Sequence, residues 1–215
     1  MLFAHMTAAF LPRRSSYRKA LGTLLFYCGL QLAVFALPAR AQDGPETGGK
    51  EETFWISGGH GTNGRTQHTT VFHSGFRYGW VLTAPRGPGF LRGRFEYAID
   101  AIPVNVFIQR TNTAFGIAAN PLALVWNFET RGRFAPYIDL DGGVLLTNIP
   151  VPTGTSHFNF TSGGGIGTHI LTGRFTWTAD VRFVHTSNNN LVYPNPGMNT
   201  AQLRLGVGWF THPHH

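Results

Sequence analysis

Cysteine is all but missing from this chain. Of 215 residues only Cys28 carries a thiol, and it lies in a segment expected to be removed, so disulfides have no part in holding the fold. Charge is scarce as well. Asp, Glu, Lys and Arg make up 13%, about half the usual quarter, and after residue 41 Lys50 is the only lysine. With aromatics also at 13%, this is not the composition of a disordered chain, which pairs high charge with few aromatics. A mean hydropathy of −0.06 excludes a polytopic helical membrane protein. The 27 glycines and 13 prolines argue against a helical bundle, since both are poor in helix interiors. What is left is a β-rich protein of one domain, or at most two small ones.

The first segment reads as an address. Arg13, Arg14, Arg18 and Lys19 precede an apolar run from Ala20 to Leu37, followed by Pro38, Ala39, Arg40, Ala41 and Gln42. A basic start, an apolar middle and an A-x-A ending are the parts of a secretory signal peptide, here cut after Ala41. The run is short for an anchor helix, and Tyr27 is too large to precede a lipid-modified Cys28. Removal takes five basic residues and leaves 12 against 10 acidic, so the formal charge of +7 falls to about +2. The pI of 10.2 then describes mostly a discarded piece, and the argument for a nucleic-acid partner goes with it. The expected organisation is a leader over 1–41, a polar segment over 42–52, a barrel over 53–210 and a His-rich tail over 211–215.

Beyond the polar segment, apolar and polar residues alternate. The pattern predicts eight strands near 53–62, 67–82, 89–104, 113–128, 133–148, 157–171, 173–187 and 200–210. Because strand side chains alternate between faces, Phe95, Tyr97 and Ile99 oppose Arg94, Glu96 and Asp100. By the same rule Phe134, Ile138, Leu140 and Val144 oppose Tyr137, Asp139 and Asp141. Phe175, Trp177, Val181 and Phe183 oppose Arg174, Asp180 and Arg182; Leu203, Leu205 and Trp209 oppose Gln202 and Arg204. The polar face carries both signs, with arginine in most strands. An enclosed lumen suits Arg, whose planar fork pairs with carboxylates in fixed geometry, and an aromatic outer face suits lipid. The expected fold is therefore all-β: an eight-stranded antiparallel transmembrane barrel with a polar interior filled by side chains rather than a pore. Arg77, Arg92, Arg94, Arg174, Arg182 and Arg204 are expected in lumen salt bridges, and Gly163-Gly164-Gly165 as a place where neighbours pack or the strand bends. A soluble barrel with the apolar face inside has the same periodicity and is the alternative.

The segment V-R-F-V-H-T-S-N-N-N-L-V-Y-P-N-P-G-M-N, residues 181–199, carries the candidate chemistry. His185 and Ser187, two apart, project from the same side as Phe183, which puts them on the outer wall near one membrane interface. Polar groups there are costly unless they serve a purpose or reach headgroups. A neutral His can take the proton of a nearby Ser and make it a nucleophile. Asn199 shares the outward parity of Leu203 and Leu205. As an amide it can orient an imidazole but cannot balance its charge as a carboxylate would. Asp180, the nearest carboxylate in sequence, points to the opposite face. Asn188, Asn195 or the backbone around Gly197 are candidate oxyanion donors.

His185-Thr186-Ser187-Asn188, followed by Pro194-Asn195-Pro196-Gly197, resembles the signature of the PagL-type lipid A 3-O-deacylases, also called acyloxyacyl hydrolases. The specific match is confined to residues 185–199, while the leader and eight-strand layout fit the family along the rest of the chain. The resemblance implies an outer-membrane barrel that releases an acyl chain from lipid A of lipopolysaccharide, with Ser187 as nucleophile, His185 as base and Asn195 in the oxyanion hole. It implies no cofactor and no metal, with surrounding outer-membrane lipids as neighbours; a homodimer is left open. Where the family has a Glu as third triad member, this chain has Asn199. The competing readings are a non-catalytic structural or adhesive barrel, for which Asn199 argues, and a soluble ligand-carrying barrel.

Overall fold

The computed structural model describes residues 41–42, 44–62 and 64–211. The expected leader, apart from Ala41, and the His-rich tail beyond Thr211 lie outside the described residues.

Eight antiparallel strands form the body: β1 (Lys50–Gly61), β2 (Thr70–Val81), β3 (Gly93–Ile108), β4 (Thr113–Phe128), β5 (Phe134–Thr147), β6 (Phe158–Leu171), β7 (Thr176–Ser187) and β8 (Met198–Thr211). Each pairs with its neighbour in sequence, and β8 also pairs with β1, from Lys50 opposite Thr211 to Gly61 opposite Thr200. That last pairing closes the sheet into a barrel and leaves no strand edge open. A two-residue strand, Ala41–Gln42, lies against Phe210 and Thr211.

The expected strands are present, with one displaced. The third begins at Gly93 rather than near 89, because Gly87 and Gly89 adopt positive φ and a 3-10 turn occupies Gly89–Leu91. It then runs on to Ile108 through Pro103. Proline cannot donate to a ladder and is found at bulges. Here the pairing of β3 with β4 slips between Ile102 and Asn105, around Pro103, and that of β4 with β5 slips between Ala119 and Leu122, around Pro121.

Polarity is inverted. The buried residues include Arg77, Asp100, Asp139, Asp141, Asp180, Arg182 and Arg204, whereas Leu140, Ile166 and Val181 are 65%, 68% and 63% exposed. Asp139 is the centre of the lumen. It accepts hydrogen bonds from Arg77 at 3.2 Å, from Arg182 at 2.7 and 2.9 Å and from Arg204 at 3.0 Å. Arg77 also forks onto Asp100, which takes a further bond from the indole of Trp55. Arg182 reaches Asp141 and Asp180, and Asp180 is held in addition by Arg204 and by the Tyr137 hydroxyl at 2.6 Å. The glycines of β6 make room for this network. A Cβ at Gly165 would stand 2.7 Å from the Asp139 carboxylate, and one at Gly167 would stand 2.8 Å from the Tyr137 ring. At one end of the lumen a small apolar cluster of Val71, Phe107, Leu145, Val151 and Met198 closes over the polar interior.

The arginine expectation needs correction. Arg77, Arg182 and Arg204 are lumen residues, but Arg92 pairs with Glu129 in the open, Arg174 is exposed beside Phe175, and Arg94 is half-buried without an ion pair among the described residues. Arg92 and Arg174 lie in connections rather than strands, where alternation does not apply.

Asp139→Ala removes the acceptor shared by three buried guanidinium groups and is expected to cost about 3–5 kcal/mol in urea unfolding of the refolded barrel. Leu140→Arg, one residue on but facing out, is expected to cost about 2–4 kcal/mol when unfolding is measured from bilayers; a water-facing wall would accept it at no measurable cost.

Candidate active site on the outer wall

The last turn of alternation in β7 sets the site. Thr186 and Asn188 face inward and are buried, while His185 and Ser187 share the outward face with Phe183 and are half-buried. Across the ladders His185 lies opposite Asn199 on β8 and Ser162 on β6, and Ser187 lies opposite Phe160. Register therefore places three polar residues, Ser162, His185 and Asn199, in one row above the apolar wall.

His185 Nδ1 and Asn199 Oδ1 are 2.6 Å apart. An amide oxygen only accepts, so the imidazole donates through Nδ1–H. Its Nε2 then carries the lone pair and is the acceptor. Asn199 is itself pinned from the other side: the backbone N–H of Thr62, in the connection between β1 and β2, donates to its carbonyl at 2.9 Å. No sequence spacing marks Thr62, because its place depends on how β8 pairs with β1.

The β7–β8 connection wraps the other side of His185. Asn189 and Asn190 adopt the left-handed conformation, φ 51° and 61°, which Asn tolerates better than most residues. Asn188 is fully buried. Its backbone N–H donates to Asn195 Oδ1 at 3.1 Å and its Nδ2 to the Val192 carbonyl at 2.8 Å, so the donors of Asn188 serve the turn. Asn195, half-buried, spends its oxygen on Asn188 and keeps Nδ2 for a long contact of 3.4 Å with Asn190. Gly197 has φ 64°, and a Cβ there would meet His185 Cε1 at 2.9 Å and Nε2 at 3.6 Å. Only glycine lets this backbone pass beside the reacting edge of the ring.

The structure thus brings His185, Asn199 and Gly197 together, and ties Asn195 to Asn188 and Asn190 within the adjoining turn. Ser187 shares the face of His185, but its Oγ makes no hydrogen bond among the described residues. Asp180 lies in the lumen within the arginine network, and none of the four connections at this end contains Asp or Glu. Among the described residues no group of three or more His, Cys, Asp or Glu is placed to hold a metal ion.

Comparison with known proteins places this geometry in context. A family model described as lipid A 3-O-deacylase (PagL) matches residues 100–208, just over half of the chain. Among solved structures the chain is similar to the crystal structure of the outer membrane enzyme PagL, with a TM-score of 0.54 at 18% identity, over 72% of this chain and 97% of that one. At that identity the structural likeness shows the fold. No curated protein matches.

The Asn199 contact predicts that the Nδ1–H tautomer of His185 dominates in the neutral ring. Nitrogen-15 NMR of histidine-labelled protein is expected to show a protonated Nδ1 for His185, and a mixture of both tautomers in Asn199→Leu.

Proposed function

Since the chain belongs to the lipid A 3-O-deacylase (PagL) family, we propose that it is an outer-membrane serine esterase that hydrolyses an acyl ester of lipid A, exported with its leader cut after Ala41. The observation that carries this reading is the 2.6 Å contact of His185 Nδ1 with Asn199 Oδ1 on the lipid-facing wall, with Ser187 two residues along the same face.

In this reading the lipid arrives laterally, its acyl chain along the apolar wall and its ester carbonyl at the His185 row. Neighbours on one strand face are roughly 7 Å apart between Cα atoms, so rotation of the Ser187 side chain toward Nε2 completes the pair as substrate binds; such bonds are often open in ligand-free enzymes. Nε2 takes the Ser187 hydroxyl proton as Oγ attacks the carbonyl carbon. The negative oxygen of the tetrahedral intermediate is met by Asn195 Nδ2 and by backbone N–H near Gly197. Collapse breaks the ester bond, and the imidazolium returns its proton to the sugar alkoxide. Water, deprotonated by the same nitrogen, then releases the fatty acid from Ser187. Asn199 keeps the imidazole in the productive tautomer throughout, but as a neutral amide it stabilises the imidazolium less than a carboxylate would.

The neutral Asn199 and the unbonded Ser187 hydroxyl favour a second reading, a barrel that keeps the wall of the family without its hydrolysis. The two readings separate in one assay, acyl release from lipid A in reconstituted membranes. Ser187→Ala is expected to lower release by about a thousandfold or more. Equal release from wild type and variant would remove Ser187 as nucleophile, and no release from either would favour the second reading. Asn199→Glu is expected to raise kcat roughly tenfold or more, by adding charge behind the imidazolium.

A further inference from the structure

The end of the barrel away from His185 has a different chemistry. Its three connections, 82–92, 129–133 and 172–175, hold five arginines and one acid, Glu129, whereas the four connections at the His185 end hold two arginines and no acid. Connection 82–92 does not hang free. It folds back on the outer wall, where outward-facing Trp126 donates its indole N–H to the Leu91 carbonyl at 3.2 Å and the Phe95 N–H donates to Thr83 Oγ1 at 2.9 Å. The Glu129 N–H donates to the Arg92 carbonyl at 2.9 Å and ties this connection to the next.

Between the two connections lies a cleft of about 570 Å³ lined by Phe90, Arg92, Phe128, Glu129, Arg131 and Pro136. Phe90 is 75% exposed, the second most exposed large apolar side chain described. Arg92 uses Nε on Glu129 at 2.8 Å, a pair half open to solvent and so worth little by itself. The Arg131 side chain is exposed and has no hydrogen-bond or ion-pair partner among the described residues. A cleft lined by two arginines against one acid, by an exposed phenyl ring and by a second, half-buried one matches a ligand that is anionic at one end and apolar at the other.

We propose that this cleft binds the phosphodiester headgroup of an anionic glycerophospholipid of the periplasmic leaflet. Arg92 and Arg131 fork onto the phosphate oxygens, and Phe90 enters the headgroup–acyl boundary against the glycerol and the first methylenes. The leaflet rests on the proposed function: with the His185 row in the leaflet that holds lipid A, the arginine end faces the other. The site depends on the barrel spanning the outer membrane and not on hydrolysis at His185.

The test uses the full chain in neutral detergent, titrated with dioctanoyl phosphatidylglycerol, dioctanoyl phosphatidylcholine or inorganic phosphate, with bound species read by native mass spectrometry. One phosphatidylglycerol is expected to be retained about fivefold or more over phosphatidylcholine, and Arg92→Gln with Arg131→Gln is expected to erase that preference, while Arg110→Gln at the other end keeps it. Equal retention of the two lipids, or a preference that survives the double substitution, overturns the proposal. Displacement of the lipid by inorganic phosphate at equal concentration also overturns it, by making the site one for a free anion. Should the double variant fail to show heat-modifiable gel migration, Phe90→Ser at the exposed lip is the substitute. It is expected to weaken phosphatidylglycerol retention, and unchanged retention overturns the proposal equally.

Discussion

Three guanidinium groups converge on one carboxylate, Asp139, from three different strands, and most other features follow from how that convergence is satisfied. Arg77 comes from β2, Arg182 from β7 and Arg204 from β8, with Asp100, Asp141 and Asp180 each taking further donors from the same three groups. Removing one partner from such a set strands a buried charge, a cost of several kcal/mol. A lumen built this way cannot also receive the Phe, Leu and Ile rows of the same strands. Those rows face outward, and the outer wall becomes one that only lipid covers well. The family assignment and the inverted polarity therefore describe the same physical arrangement.

The outward parity of β7 carries straight into the site. His185 stands where Phe183 and Val181 stand, one or two steps nearer the membrane surface, and its partner Asn199 is supplied by ladder register. The third member of a Ser-His relay has two tasks, fixing the tautomer and balancing the imidazolium. On the proposed function Asn199 does the first, its side-chain oxygen lying 2.6 Å from His185 Nδ1. The second is left to the surroundings, where the four connections at this end hold no Asp or Glu. On that reading the chain departs from the Ser-His-Glu pattern that the resemblance at residues 185–199 implies for its family.

The two rims of the barrel divide their labour by composition. The rim at His185 is rich in Asn, Thr, Gly and Pro, residues that shape turns, and its connections hold two arginines and no acid. The far rim is arginine-rich and keeps a bare phenyl ring beside those charges. A membrane whose two leaflets differ in lipid would present different chemistry to each.

Alternation alone determined a large part of this protein. The eight strands, the face assignments of Phe95 to Asp100, Phe134 to Asp141 and Trp177 to Arg182, and the shared face of His185 and Ser187 all follow from a period of two that local sequence enforces. Periodicity does not distinguish inside from outside, and the argument for the lipid-facing assignment came from arginine and aromatic content. Only the tertiary structure decided the rest. It set which strands face each other, hence the meeting of His185 with Asn199 and the bracing of Asn199 by Thr62, since register depends on residues far apart in the chain. It moved the third strand to 93–108, because two glycines at positive φ end the preceding connection and a bulge absorbs Pro103. It put Arg92 and Arg174 on a rim, where no neighbour across a sheet dictates direction, and committed the donors of Asn188 to a turn whose closure depends on Asn195, seven residues away.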